Sequence, residues 1–273
     1  MNILQRVSGS KLVQYILTLV SYSFYAAILG MSLLPSILIL LNATRALLAP
    51  DILAGKLPSL GNAALFALLI GASVFVFYFC GLFLMGLGVR LFSLVIKPGR
   101  HPMISITTLA WVVLGGIHAM AFRIILPIVS LTFFSMMYFR LAGCRIGKNV
   151  WMVSYAFPDP YLVTIGDNSI IGGEAVLACH VFENNHLILG PIHIGKNCLV
   201  GTHSYLNPGV TMGDGSVVGM GTIVRRGTQI PPKARIGGIC GIPTKRVFEI
   251  ETGILSMGER RRPFSRVRTM GEK

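Results

Sequence analysis

Cys179-His-Val-Phe-Glu-Asn-Asn-His186 gathers, within eight residues, the side chains best suited to moving a proton. An imidazole titrates near pH ~6.5, so at neutral pH a histidine can both take a proton and return it. His180 and His186 are the two candidate bases. Glu183, three residues after His180, offers a carboxylate that would hold the His180 ring in one tautomer. On residue types alone, His180 also reads as an ordinary turn residue and Glu183 as a solvated loop carboxylate. Nothing beside Cys179 lowers a thiol pKa, so a covalent thiol route is not expected. The five cysteines are odd in number and lack CxxC spacing, which suggests neither a disulfide framework nor a zinc site and fits a reducing compartment.

The element that must position this segment is a six-residue repeat. From Ile194 the chain reads IGKNCL, VGTHSY, LNPGVT, MGDGSV, VGMGTI, VRRGTQ, IPPKAR, IGGICG and IPTKRV, nine units in unbroken register. Upstream units begin at Ile146, Met152, Ile165, Ile171 and Leu177, with one residue beyond whole units before Ile165 and five before Ile194. An aliphatic residue at the first position and Gly most often at the second call for a short strand followed by a tight turn. Three units make one triangular coil of about eighteen residues, and coils stack at roughly the strand spacing of 4.8 Å. Ile146 to Val247 then gives about five coils, a prism roughly 24 Å tall around a column of Ile, Val and Leu. The insertion before Ile194 has no room in a regular coil and must project as a loop, with CHVFENNH entering it.

These units resemble the hexapeptide-repeat acyltransferases. The run from GPIHIGKNCL to IPP, followed by GIPTKRVFEI, is similar to the C-terminal signature of galactoside and maltose acetyltransferases. IGKNVW, FPDPYLVTIGDN, LACHVFENN and LNPGVTMGDG are similar to the membrane-bound terminal region of polylysine-synthetase-type nonribosomal peptide synthetases. The resemblance implies a left-handed parallel β-helix, an exception to the usual crossover hand. It also implies acyl transfer from a phosphopantetheine thioester, carried by coenzyme A or by an acyl carrier protein, to a hydroxyl or amine. His180, following a strand and next to the loop, maps onto the general base, with Glu183 as its partner. Gly201, Thr202, Gly219 and Gly221 would present backbone groups to the pantetheine arm, and Arg225, Arg226 and Lys245 would meet the phosphates. Arg225-Arg226 stands where many relatives have Thr-Lys. Because the donor groove lies between neighbouring prisms, a homotrimer is expected.

The N-terminal half is of another kind. The chain is 53% hydrophobic, only 12% charged, and has a mean hydropathy of +0.70, outside the usual range for a soluble domain. Residues 12–44 and 62–89 carry no charge, and about twenty apolar residues suffice to cross a bilayer. Residues 103–138 are interrupted by His118 and Arg123 and read as two short helices joined near Arg123, a pair of spans or a re-entrant hairpin, which favours about four passes. Arg6 and Lys11 before the first span, with Arg90, Lys97 and Arg100 after the second, put both basic clusters inside. The expected organisation is an α-helical transmembrane bundle over 1–140, an all-β acyltransferase prism over 141–250 facing the cytoplasm, and a basic tail over 251–273.

The net charge of +14 with nine Lys or Arg against the single acid Asp51 in residues 1–140 points to an anionic membrane surface rather than nucleic acid. His118 and Arg123, ionisable residues in apolar text, are suspects for a lipid-accessible acceptor or donor channel, although snorkelling explains Arg123 equally well. Two other functions compete. A zinc carbonic anhydrase built on the same prism needs three converging histidines, and His180, His186, His193 and His203 lack that spacing, so no metal is expected. A non-catalytic trimeric membrane scaffold would need only the prism.

Overall fold

The computed structural model describes residues 11–237. Helix α1 (Lys11–Ala43) runs through a π turn (Thr44–Leu48) into the short α2 (Ala49–Leu53), and α3 (Leu60–Ser93) packs back against α1. Strand β1 (Gly99–Pro102) follows, then α4 (Ile106–Met120), a second π turn (Ala121–Ile125), α5 (Leu126–Val129) and α6 (Phe133–Leu141). The second π turn has a cause: Pro127 has no N–H for the carbonyl of Arg123 and its ring crowds it, so the helix widens there instead of breaking.

Three helical runs, Thr18–Leu53, Leu60–Ser93 and Ile106–Val129, are long and apolar enough to cross a membrane. Leu19, Leu38, Leu68 and Phe75 on the first two are exposed, the pattern of helices that lie in an apolar solvent. The third stretch, expected as two short helices joined near Arg123 in a pair of spans or a re-entrant hairpin, is continuous through Arg123. It is one 24-residue run, and α6 with nine residues is only about 14 Å long, short of the ~30 Å hydrocarbon core. The third run descends along the last turns of α3, with Ile117 beside Gly88 and Ile125 against Gly81. Helix α6 returns along the same stretch: Phe134 stacks edge-on to Phe75 and Phe79 at 5.5 and 6.0 Å, and Leu141 lies against Gly86.

From Arg145 the chain becomes a three-faced column of two- and three-residue parallel strands. One face stacks β2 (Arg145–Ile146), β4 (Val163–Ile165), β9 (Ile192–Ile194), β12 (Thr211–Met212) and β15 (Gln229–Ile230). The second stacks β3 (Trp151–Met152), β5 (Ile170–Ile171), β10 (Leu199–Val200), β13 (Val217–Val218) and β16 (Arg235–Ile236). The third has three strands, β6 (Val176–Leu177), β11 (Tyr205–Leu206) and β14 (Ile223–Val224). The last residue of each of these strands points inward, so Ile171, Val200 and Val218 form one buried ladder. Corners are turned by residues with positive φ, Asn168 at 57° and Asn197 at 54° among them, since Asn tolerates the left-handed region better than most side chains. Phe139 of α6 closes the first end of the column against Phe157, ring centroids 5.0 Å apart.

Two irregularities break the column. Leu206 pairs with Val224, 18 residues on, whereas Leu177 pairs with Leu206, 29 residues on. The coil carrying His180 is therefore eleven residues longer than a regular one, not five, because a further repeat unit leaves the column with the insertion. Those residues form a hairpin of β7 (His180–Glu183) and β8 (His186–Leu189). Its two-residue loop, Asn184-Asn185, has φ of 48° and 59°, the backbone a tight hairpin turn requires. Strand β1, on the link between α3 and α4, pairs antiparallel with β8, so the chain leaving α3 clamps the loop. The second irregularity is the third side of the first coil, where Ser154–Asp159 makes no strand and Leu177 N–H donates to Ala156 O.

Candidate active site

The irregular segment and the hairpin lie side by side, and between them stands His180. Its Nδ1 is 2.6 Å from Oδ2 of Asp159. Asp159 is fully buried, and its Oδ1 accepts a second hydrogen bond, 2.7 Å long, from Nε1–H of Trp111 on α4. A buried carboxylate must be fully hydrogen-bonded, and an ionised one only accepts, so it takes N–H from both neighbours. Nδ1 of His180 then carries its proton and Nε2 carries the lone pair, the form in which an imidazole serves as a base. The Trp111 ring packs edge-on against the imidazole at 4.7 Å, and Phe182 stands 5.5 Å from Trp111. The side chain of His180 is 24% exposed, so the imidazole reaches an opening while its partner stays dry.

The opening is a cavity of about 490 Å³ between α4 and the column, lined by His180, Trp111, Gly115, His118, Phe122 and Pro158 among others. Its walls are mainly apolar. His118 has Nδ1 2.8 Å from the Tyr138 hydroxyl and, among the described residues, no partner for Nε2.

Glu183 does not hold the imidazole. Residues three apart on a strand point to opposite faces, so Glu183 turns away from the Asp159 side of His180, and its carboxylate accepts from Arg226 Nη1 at 2.7 Å. The orienting carboxylate is Asp159, which sequence reasoning missed. The signal that could have found it is the one extra residue in the coil before Leu177, which falls on the Phe157-Pro-Asp-Pro160 stretch directly beside the loop. Trp111 carried no signal, since only packing of α4 brings it there. His186 lies at the far end of β8, with Nδ1 2.7 Å from Asn184 O, away from Asp159. Burial pushes the Cys179 thiol well above its ordinary range, with the Asp159 carboxylate adding to the effect, so Cys179 is a poor nucleophile.

Gly201, Thr202, Gly219 and Gly221 come together at one edge of the column, in successive coils, where Gly221 N–H donates to Thr202 O at 2.9 Å. Gly201 has a packing reason of its own, because a Cβ there would stand 2.5 Å from the Met220 nitrogen. Arg225 and Arg226 follow β14 at the next edge, not the same one. Lys245 and the basic tail lie outside the described residues. His193 faces outward on β9 and His203 sits in a corner at φ 56°, neither near His180. Among the described residues no three His, Cys, Asp or Glu side chains converge as a metal site.

The family model described as "Hexapeptide repeat of succinyl-transferase" matches residues 191–226 of the column. The chain is 37% identical over 117 residues to galactoside O-acetyltransferase of Escherichia coli (strain K12), a match covering 40% of this chain and 55% of that protein. It is 28% identical over 106 residues to delta-poly-L-ornithine synthetase of Acinetobacter baumannii, covering 39% of this chain and 8% of that protein. Among solved structures it is similar to a hexapeptide-repeat acetyltransferase of Vibrio cholerae complexed with acetyl-coenzyme A, with 28% identity, 35% of this chain and 56% of that one covered, and a TM-score of 0.30. The chain thus spans little more than half the length of the first acetyltransferase it matches.

Proposed function

We propose that this chain is a membrane-anchored acyltransferase that moves an acyl group from a phosphopantetheine thioester to a hydroxyl or amine, with His180 as general base. The observation that carries the reading is the Trp111–Asp159–His180 chain of hydrogen bonds opening on a cavity. Nε2 of His180 takes the acceptor's proton as its oxygen or nitrogen attacks the thioester carbonyl. The C–S bond then breaks, and the imidazolium returns the proton to the leaving thiolate, so an acylated acceptor and a free thiol result. Asp159 does not touch the substrate; it holds the tautomer and balances the imidazolium charge.

The donor is coenzyme A or a carrier protein, its pantetheine arm along the edge of Gly201, Thr202, Gly219 and Gly221. Arg225, Arg226 and Lys245 are the cations for its phosphates. The column winds with left-handed connections and assembles as a trimer. Outward-facing Trp151, Ile170 and Leu199 on one face, and Tyr205 and Ile223 on another, give apolar ladders that support this association.

The cytoplasmic placement rests on β1. It follows α3 within a few residues and pairs with the column's hairpin, so the column stays on the side where Arg90, Lys97 and Arg100 emerge. With α1 and α3 as spans, the third run and α6 form a re-entrant hairpin that dips beside α3 and returns. The test is release of free thiol from acetyl-coenzyme A by the full chain in lipid nanodiscs. His180→Ala is expected to abolish it, and turnover left intact would overturn the reading.

A further inference from the structure

A second cavity, of about 440 Å³, opens on the other side of the third helical run, between α1 and α4, and is lined by Tyr22, Tyr25, Leu29, Gly116 and Met120 among others. It shares Ala119 and Arg123 with the cavity at His180, so the two spaces border each other where the third run enters its π turn. Two polar features interrupt these spaces. Arg123 stands where the cavities meet, is exposed, and among the described residues makes no ion pair. His118 is buried, spends Nδ1 on Tyr138, and leaves Nε2 without a partner among the described residues, a state a native protein seldom tolerates unless a ligand or water completes it. An ionisable side chain beside lipid is costly and is usually retained to meet a ligand.

We propose, resting on the acyltransfer reading above, that the acyl acceptor is a membrane-borne amphiphile with an anionic headgroup. Its tail lies between α1 and α4, its anion meets Arg123, Nε2 of His118 bonds a polar headgroup atom, and its nucleophile reaches Nε2 of His180. A long acyl chain on the donor would fill the same apolar space but has no anion for Arg123 and no polar atom for His118. A water-soluble acceptor would leave the cavity between α1 and α4 without an occupant.

The probe is dodecyl phosphate carrying a mid-chain diazirine, photolysed with the full chain in nanodiscs, and the labelled peptides are mapped by mass spectrometry. Label is expected on the segments holding Tyr25 and Met120. Unlabelled dodecyl phosphate should displace it about tenfold better than dodecanol, and inorganic phosphate should not displace it. Arg123→Gln should reduce the site label about tenfold. Ala26→Leu provides a second variant: Ala26 is exposed on α1 and lines the cavity between α1 and α4, so a leucine there fills the tail's space and favours the helix. It should remove the label as well. Label spread evenly over the lipid-facing helices, label unchanged in both variants, or equal displacement by dodecanol would overturn the inference. Thiol release by wild type and His180→Ala, measured on the same preparations, reports separately on the acyltransfer reading, so either can fail while the other stands.

Discussion

Asp159→Asn tests the tautomer argument most directly, because the change is isosteric and Trp111 decides which way the new amide must face. Trp111 Nε1–H needs an acceptor at the Oδ1 position, 2.7 Å away, so the amide oxygen turns there and the NH₂ turns to His180 Nδ1. Nδ1 then accepts, the ring proton moves to Nε2, and the base is lost. Flipping the amide restores the base but points NH₂ at the indole N–H, leaving two buried donors unsatisfied. At about 1.5 to 2 kcal/mol each, that costs ~3 to 4 kcal/mol, so kcat for thiol release should fall roughly 100- to 1000-fold. KM for the thioester should change little, since Asp159 does not touch it. Removing the indole N–H with Trp111→Phe in the Asp159→Asn background lets the amide turn freely, and the double variant should recover roughly tenfold over Asp159→Asn alone. Stopped-flow or steady-state thiol release in nanodiscs reads both. Asp159→Asn turning over within about threefold of wild type, or a double variant no faster than the single one, would refute the reasoning.

Cys179→Ala should keep turnover within about threefold, and native-state maleimide labelling at pH ~8 should spare Cys179 and Cys144, whose thiols burial holds above the usual range. Gly201→Ala drives a Cβ into the backbone of the next coil and should cost about 3 kcal/mol in denaturant unfolding. Gly221→Asn, at φ 66° with open space around it, should cost less than about 1 kcal/mol, so a rise in KM for acetyl-coenzyme A in that variant would report donor binding rather than misfolding. Arg226→Ala breaks an ion pair with Glu183 whose partners are both about half exposed, so stability should fall by less than about 1 kcal/mol while KM for the donor rises if the guanidinium meets its phosphates.

The column was legible because each six-residue unit repeats the same local demand: one inward aliphatic residue, one turn, one strand. That demand is met within a few residues of chain and needs no knowledge of partners. The loss of period after Leu177 marks where the chain leaves the column, and the resemblance to acyltransferases with a histidine beside such a loop is what singled out His180. What could not be read was whatever depends on stacking. The pairing of His180 with Asp159 joins residues 21 apart, and Trp111 reaches Asp159 across 48. Glu183 was the nearest carboxylate in the sequence, three residues from His180, and fails because β7 is a strand that turns it to the other face. In 103–138, His118 and Arg123 looked like breaks in a helix. The π turn at Pro127 keeps the helix continuous, and both residues turn toward cavities.

One consequence ties the two halves together. The carboxylate that holds His180 takes its second hydrogen bond from Trp111 on α4, and β1, on the link before α4, pairs with the hairpin that carries His180. One attachment lies on the α3–α4 connection and the other on α4 itself, so sliding or tilting of α4 relative to the column would withdraw the Trp111 N–H from Asp159 and leave a buried oxygen unpaired, at about 1 to 3 kcal/mol. The site is therefore complete only when the third helical run is seated. Cutting the column away from residues 11–141 removes that donor together with the wall opposite His180. An isolated column should accordingly retain its strands by circular dichroism while losing thiol release.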